Sequence, residues 1–445
     1  MIDPQSELLD KIRQQFDSSP YPRTPIEQSP KDSSKQLYIH NLVTSFYSRD
    51  QRVIDTKDKV ILDAGCGSGY NSLVLAEANL GAKLIGIDIS AESVDLAEKR
   101  LKYHGFDDAE FFVASIEDLA SLGYQFDYIN CDELLYLFPE PANALKSMQA
   151  VLKPDGIIRA NLHSSIQRTN YFRAQKMFGM MGLMDENPED LEVGIVVETM
   201  QALKDNVLLK AQTWSSDYEI KDNKELMERI LMNYLFQGDK GYTIADMFAF
   251  LELADLRLIS MVNWREWNFK NLFKEADKLP VFLQMSLPDL SMEDRLQMYE
   301  LLNPVHRLLD FWCCHSAQSS HFVPFSQWSD TDWWNAKVYL HPQLNNAKFK
   351  ADLVKNIGDC AVLRLNDYLS THDQIVTVDS TMATCLLPLL DAPQTVSSLV
   401  ERWKLYRPVD PVTLQSIDPQ KALELVKNAL KSLENLDYLM IEIQN

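Results

Sequence analysis

Between residues 59 and 163, short apolar runs alternate with segments of helical period. That alternation predicts a parallel sheet covered by helices on both faces. Val60-Ile61-Leu62-Asp63 reads as a first strand, Ser72 to Asn79 as a helix, and Leu84 to Asp88 as a second strand. Ala91 to His104 is strongly amphipathic, with Val94, Leu96, Ala97 and Leu101 among its apolar positions. Ala109 to Ala114 and Phe126 to Cys131 supply a third and a fourth strand. A helix from Pro141 to Leu152 leads to Lys153-Pro154-Asp155-Gly156, read as a tight turn, and then to a fifth strand, Ile157 to Leu162.

Outside that window the pattern changes. A helix is predicted from Ser6 to Phe16, then an irregular stretch holding Pro20, Pro22 and Pro25, then a helix around Lys35 to Ser48. After His163 the alternation stops, and residues 166–240 read as largely helical, with a Met-rich stretch from Met177 to Met184. That stretch suits either an adaptable acceptor pocket or a core helix. Thr243 to Leu253 (helix), Leu256 to Val262 (strand) and Leu308 to Cys314 (strand) would resume the sheet, with Trp264 to Asn303 helical between them. Aromatic residues crowd Phe322 to Tyr339, and Trp328, Trp333 and Trp334 read either as an aromatic pocket or, the favoured reading, as a packed linker. From about Asp373 the tail reads as three helices and a strand, Tyr438 to Ile443, a rhythm that resembles a small winged-helix module.

The fold expected is therefore α/β: a Rossmann-like seven-stranded sheet, a helical substrate region and a small C-terminal helical, winged-helix-like domain. The expected division is a helical lid over 1–57, a cofactor-binding core over 58–165 and a helical insertion over 166–240. Completion of the sheet follows over 241–325, a linker over 326–372 and the last domain over 373–445.

Composition narrows the function classes. A chain of 445 residues is too long for one small core. Its net charge of −21 opposes a phosphate backbone, so no nucleic-acid partner is expected. The first residues lack a basic start before an apolar core, and no run of eighteen apolar residues occurs, so neither a signal peptide nor a membrane span is expected. Cys66, Cys131, Cys313, Cys314, Cys360 and Cys385 show no metal-ligand or disulfide spacing. The reading is a cytoplasmic chain with reduced thiols and no metal site.

The densest chemistry is Ile61-Leu62-Asp63-Ala64-Gly65-Cys66-Gly67-Ser68-Gly69-Tyr70-Asn71. A strand ends in an acid, and glycines at every second position turn the chain into a helix, letting backbone approach a ligand closely. Tyr70 stands where a dinucleotide-binding loop needs a bare helix start, so an NAD-dependent oxidoreductase fits poorly. S-adenosyl-L-methionine has no phosphate; its cationic amino-acid end suits Asp63. Asp88, ending the second strand, is placed to accept both ribose hydroxyls. Ser115 and Ile116 follow the third strand, where they would meet the adenine or, equally, cap and start a helix.

Four stretches together resemble the class I S-adenosylmethionine-dependent methyltransferases over residues 58–163: Val60 to Gly69, Gly86-Ile87-Asp88-Ile89-Ser90, Phe126 to Cys131, and Val151 to Gly156. The resemblance implies S-adenosyl-L-methionine as cofactor, contacted by Asp63, Ala64, Gly65, Gly67, Asp88, Ile89, Ser115, Ile116 and Cys131. Many relatives carry an aspartate where Ser115 stands, which is a departure. The resemblance also sets Cys131, Asp132, Glu133 and Tyr136 at the mouth of an acceptor pocket. Phe16 to Pro22 and Asn71 are similar to long bacterial members, including lysine methyltransferases of outer-membrane proteins, which carry extra middle and C-terminal domains.

Methyl transfer is an in-line displacement at a carbon already activated by a sulfonium, so alignment dominates. The catalytic candidates by position are Tyr21, Cys131, Asp132, Tyr136 and His163, with Asp132-Glu133 able to hold a cationic acceptor. His163 also reads as a structural residue, and Tyr21 as part of a lid. A small-molecule acceptor and a protein lysine both stay open, as does a catalytically silent cofactor-binding partner or sensor. For the acidic tail, a homodimer contact or peptide capture stands beside a plain stabilising cap.

Overall fold

The computed structural model describes residues 21–444 apart from 216, 217, 219–222, 277, 319–321, 372, 373 and 411, so the helix expected from Ser6 to Phe16 lies outside the described residues. Two helices, α1 (Ser34–Ile39) and α2 (Leu42–Asp50), replace the single one expected over Lys35 to Ser48. The break falls at His40-Asn41, because the Asn41 side chain caps α2 by accepting the Val43 amide at 2.9 Å. A capping residue must itself be extended, which ends the helix before it.

The expected alternation follows: β1 (Val60–Ala64), α3 (Tyr70–Ala78), β2 (Lys83–Asp88), α4 (Ala91–Tyr103), β3 (Glu110–Val113), β4 (Phe126–Cys131), α5 (Pro141–Ala150) and β5 (Leu152–Ser164). Residues 153–156 are not a tight turn before β5. They lie inside it as an extended bulge, where the register steps from Phe126↔Leu152 to Tyr128↔Ile157. Lys153 is tied there to the Asp127 carboxylate at 2.6 Å, which keeps the segment on the sheet. Four helices come next: α6 (Thr169–Met180), α7 (Asp190–Ala202), α8 (Leu208–Thr213) and α9 (Asn223–Tyr234). The sheet resumes with β6 (Gly241–Tyr242), α10 (Ile244–Leu253), β7 (Leu256–Met261), α11 (Val281–Ser286), α12 (Met292–Leu302) and β8 (Leu308–His315). Trp264 to Asn303 is thus only partly helical; Pro280 and Pro288 bracket α11 and keep it short.

The path through the sheet runs β3-β2-β1-β4-β5-β8-β7, with β6 beside β5. Strands β2 and β3, β1 and β4, and β4 and β5 pair parallel; β8 runs antiparallel between β5 and β7. The strand order reverses beside β1, and open α/β sheets bind ligands at the carboxyl ends on either side of that point. Leu62, Ile85, Ile87, Ile129, Ile158 and Phe311 fill the core. The helices α6 to α9 have a core of their own, built on Phe178, Val196, Met200, Ile230 and Tyr234. The Met-rich stretch divides between surfaces: Phe178 is buried, while Met180 is 82% exposed.

Contacts group residues 21–26, Val60–Tyr70 and Leu84–Gln318 as one unit. A second unit joins Glu27–Lys59, Asn71–Lys83 and 322–444. It contains α13 (Asp330–Asn335), β9 (Lys337–Leu340), α14 (Ala347–Asp359), β10 (Leu363–Arg364), β11 (Thr377–Val378), α15 (Ser380–Leu386), β12 (Gln394–Thr395), α16 (Val396–Tyr406), α17 (Pro419–Glu434) and β13 (Leu439–Glu442). The tail has the three helices and final strand its pattern predicts, but two boundaries need correcting. Residues 326–372 are no linker: β9 is the central strand of a β12-β9-β13 sheet, and Trp328, Trp333, Phe349 and Leu353 sit in the same core as Leu399 and Leu439. Residues 27–57 belong to this unit and form no separate lid. Tyr47 of α2 donates to Glu434 at 2.9 Å and accepts the Ile441 amide at 3.0 Å. Among the described residues no helix is long and apolar enough to cross a membrane.

Candidate active site

The glycine loop leaves β1 at Asp63 and enters α3. Gly65, Gly67 and Gly69 all adopt positive φ, at 80°, 50° and 81°. At Gly67 the restriction is double, since a Cβ would also run into the Tyr21 carbonyl oxygen. Every amide from Gly65 to Gly69 already has a partner. Gly65 and Cys66 donate to the Ile87 carbonyl, both at 2.8 Å, Ser68 to the Tyr21 carbonyl at 2.9 Å and Gly69 to Cys66 at 2.9 Å. Gly67 donates to Asp88 Oδ2 at 2.9 Å. A pyrophosphate is held by free amides at such a turn, and those from Gly65 to Gly69 are already engaged, which counts against the dinucleotide reading alongside Tyr70.

Two carboxylates flank the loop. Asp63 is buried and accepts from Asn130 Nδ2 at 2.9 Å. Asp88 takes Gly67 on one oxygen and the Ser90 amide on the other at 2.9 Å, which fixes the carboxylate plane at the end of β2. Ile89 beside it is 36% exposed. Ala64 is buried and Gly65 sits against the Leu134 side chain. Ser115 caps the 3-10 helix Ile116–Leu122, accepting the Glu117 amide at 3.3 Å, and Ile116 packs into the sheet core. The cap is thus formed, which leaves the adenine reading of the pair open.

A second cluster lies where β4 and β5 end. Asp132 accepts from Asn161 at 2.5 Å and from Arg159 at 3.3 Å, and Arg159 also reaches Asp310 at 2.7 Å. Glu133 adopts φ 56° and donates its amide to Asn161 Oδ1 at 2.8 Å. Its carboxylate accepts the Tyr136 hydroxyl at 3.0 Å and is forked by Arg307. Arg307 donates on to His163 Nε2 at 2.9 Å; since a guanidinium cannot accept, His163 bears its proton on Nδ1 and gives it to Asp239 at 2.6 Å. Asp239 is held in turn by Arg168 at 2.6 Å and Gln175 at 2.8 Å. The His163 ring stacks on Tyr136 with centroids 3.7 Å apart.

Burial and charge set the protonation of this cluster. Burial, and then the Glu133 charge, push the Tyr21 phenol up to about 12. Burial and Glu133 likewise raise Tyr136 well above the usual phenol range. Burial would raise Glu133 itself, but its neighbours His163 and Arg307 hold it well below the usual carboxylate range. Cys131 is not at a pocket mouth. It is fully buried in the sheet core, and burial raises its thiol far above the usual value. A thiol so placed is neither nucleophile nor base.

A family model described as a methyltransferase domain matches residues 55–231. Residues 55–231 are a methyltransferase domain of the class I S-adenosylmethionine-dependent kind. An uncharacterised Synechococcus protein is 25% identical over 320 residues, 71% of this chain and 73% of that one. The ubiquinone biosynthesis O-methyltransferase of Actinobacillus pleuropneumoniae is 34% identical over 145 residues, covering 32% of this chain and 59% of that enzyme. The structure of PKMT2 from Rickettsia typhi in complex with AdoHcy superposes with a TM-score of 0.57 at 15% identity, over 93% of this chain and 76% of that one. At that identity the likeness is one of fold.

The methyltransferase takes S-adenosylmethionine as its cofactor, which supplies a methyl carbon activated by a sulfonium. The residues present fit it: a carboxylate at each of two neighbouring strand ends, and between them a glycine turn whose amides from Gly65 to Gly69 are already partnered. Of the positions singled out from sequence, Asp63, Gly65, Gly67 and Asp88 meet around the loop, and Asp132, Tyr136 and His163 meet in the second cluster with Tyr21 in electrostatic reach of Glu133. Sequence reasoning missed Arg307, Asp239 and Arg159. Asp239 hides in a polar turn, Gly238-Asp239-Lys240-Gly241, with nothing in its spacing to mark it.

Proposed function

We propose that the enzyme methylates an amine, the side chain of a protein lysine, with Asp63 and Asp88 gripping the cofactor and Tyr21, Glu133 and Tyr136 aligning the acceptor. One observation carries this reading: His163 has both ring nitrogens engaged, by Asp239 and Arg307. An oxygen acceptor needs a base to remove its proton as it attacks. A neutral amine needs none, since its lone pair attacks, the carbon–sulfur bond breaks, and the product ammonium sheds a proton to water afterwards. Tyr21, pushed up to about 12, keeps its hydroxyl throughout. The hydroxyl can then orient the amine without competing for the methyl group.

The test is methyl transfer from methyl-labelled S-adenosylmethionine to an unstructured lysine-rich peptide and, separately, to catechol. Methyl-lysine after acid hydrolysis, with a rate that rises from pH 7 toward pH 10, is the expected result. Transfer to catechol with none to the peptide would overturn it. That outcome is the second reading, a small phenolic acceptor, favoured by the stretch shared with the ubiquinone biosynthesis O-methyltransferase.

A further inference from the structure

Residues 21–26 lie against the glycine loop, and a buried cation, Arg100, bridges the two. Arg100 lies on α4, in a helix whose neighbouring Lys99 and Lys102 are solvent-facing, yet it is fully buried. Its three donor groups go to three backbone carbonyls. Nε donates to Ser68 at 2.9 Å, Nη1 to Pro25 at 2.7 Å and Nη2 to Thr24 at 2.7 Å. His104 Nε2 lies 2.8 Å from the Ile26 carbonyl. From the loop side, Ser68 donates its amide to Tyr21 at 2.9 Å and its hydroxyl to Pro22 at 2.6 Å. Gly67 has no side chain at the one place where a Cβ would push the Tyr21 carbonyl away.

A guanidinium is taken out of water at a large cost, recovered only when its donors are met in good geometry. Here what meets them is the loop on one side and the arm on the other. We propose that Arg100 is a positioning residue for methyl transfer: it locks residues 21–26 onto the glycine loop in the cofactor-competent conformation and so sets Tyr21 at the acceptor side. Because only the docked arm presents that loop, the cofactor's apparent affinity scales with the docked fraction. The Tyr21 half of this inference rests on the acceptor geometry proposed above; the cofactor half does not.

The experiment is titration of S-adenosylhomocysteine into the full chain, wild type and Arg100→Lys, with hydrogen exchange read at Tyr21, Arg23, Thr24, Ile26 and Ser68. The lysine keeps the charge but cannot span three carbonyls. The expected result is a folded variant whose Kd rises about tenfold, and wild-type protection of those amides on ligand addition that the variant largely lacks. A rise under threefold in a folded variant, whatever the loss in Tm, would overturn the proposal and leave Arg100 a stabilising residue. Should Arg100→Lys fail to fold, Ser68→Ala decides, since it deletes only the hydroxyl bond to Pro22. A Kd raised threefold or more supports the proposal, and an unchanged Kd overturns it. None of these readouts involves an acceptor, so failure of the lysine reading would leave them intact.

Discussion

Replacing Asp88 with alanine tests the cofactor site at its most exposed assumption. In the free protein the carboxylate braces two backbone amides, Gly67 and Ser90, each at 2.9 Å. Those amides can turn to water, so the brace contributes roughly 1–2 kcal/mol in all. The bound cofactor adds the larger share. If Asp88 holds the ribose as proposed, two hydroxyls donating to a charged acceptor contribute about 1.5–3 kcal/mol each, so their loss removes about 3–6 kcal/mol. That predicts a Kd for S-adenosylhomocysteine raised roughly 10²- to 10⁴-fold. Asp88→Asn separates the two roles: it keeps one carbonyl acceptor but turns the other atom into a donor facing an amide, so its Kd should fall between wild type and alanine. Calorimetric titration gives the affinities, and a melt without ligand gives the brace. If alanine binds within threefold of wild type while Tm drops, Asp88 only braces the loop and the ribose assignment is wrong.

Other outcomes follow from the same geometry. Gly67→Ala places a Cβ at φ 50° and into the Tyr21 carbonyl, so it should cost about 1–3 kcal/mol and expose residues 21–26 to limited proteolysis. Asp239→Asn leaves the buried Arg168 guanidinium without its counter-charge, and urea unfolding should report a loss of about 3–5 kcal/mol; a loss under 1 kcal/mol would refute the network. Tyr21→Phe should lower turnover at least tenfold while leaving S-adenosylhomocysteine affinity within twofold, measured by labelled transfer and calorimetry. His341, with burial pushing it down to about 4, must be neutral in the folded state. Its folded pKa lies below the unfolded value of about 6.5, so its stability contribution is complete above pH 6.5 and is lost as pH falls toward 4. Chemical unfolding across pH 7 to 4 should show up to about 3 kcal/mol of loss from this group, absent in His341→Gln.

What the sequence disclosed and what it hid divide along physical lines. Strands β1 to β5 and the glycine loop are local: each is set by side-chain period and by φ values only glycine takes easily, and both are written in consecutive residues. The adjacency of residues 27–57 and 322–444 is not local. Nothing in Tyr47 marks it as the partner of Glu434 and Ile441, because the contact is made by two segments separated by the entire sheet. Arg100 was hidden for a related reason. On a helical wheel it reads as one more cation in a charged face, and only the approach of residues 21–26 makes that position interior. Cys131 is a different case: adjacent to the site in sequence, its side chain is closed inside the sheet core, which strand position alone does not reveal.

The acceptor side is made of side chains each held by another. Glu133 is fixed by Tyr136 and Arg307, Arg307 by His163, His163 by Asp239, and Asp239 by Arg168 and Gln175. Turning Tyr136, His163, Asp239 or Arg168 strands a buried polar group, at about 1–3 kcal/mol each, which favours one geometry for the row although Glu133 and Arg307 at its end stay partly open to water. Such rigidity would be poorly used in a reaction that needed a mobile base. It suits one whose electrophile arrives already activated, where the remaining barrier is mostly the alignment of a nucleophile's lone pair with a carbon–sulfur bond. By that argument the charged residues between β4, β5 and β8 act as a frame for the acceptor, and the expected signature of loosening them through Asp239 or Arg307 is a fall in turnover with cofactor affinity kept.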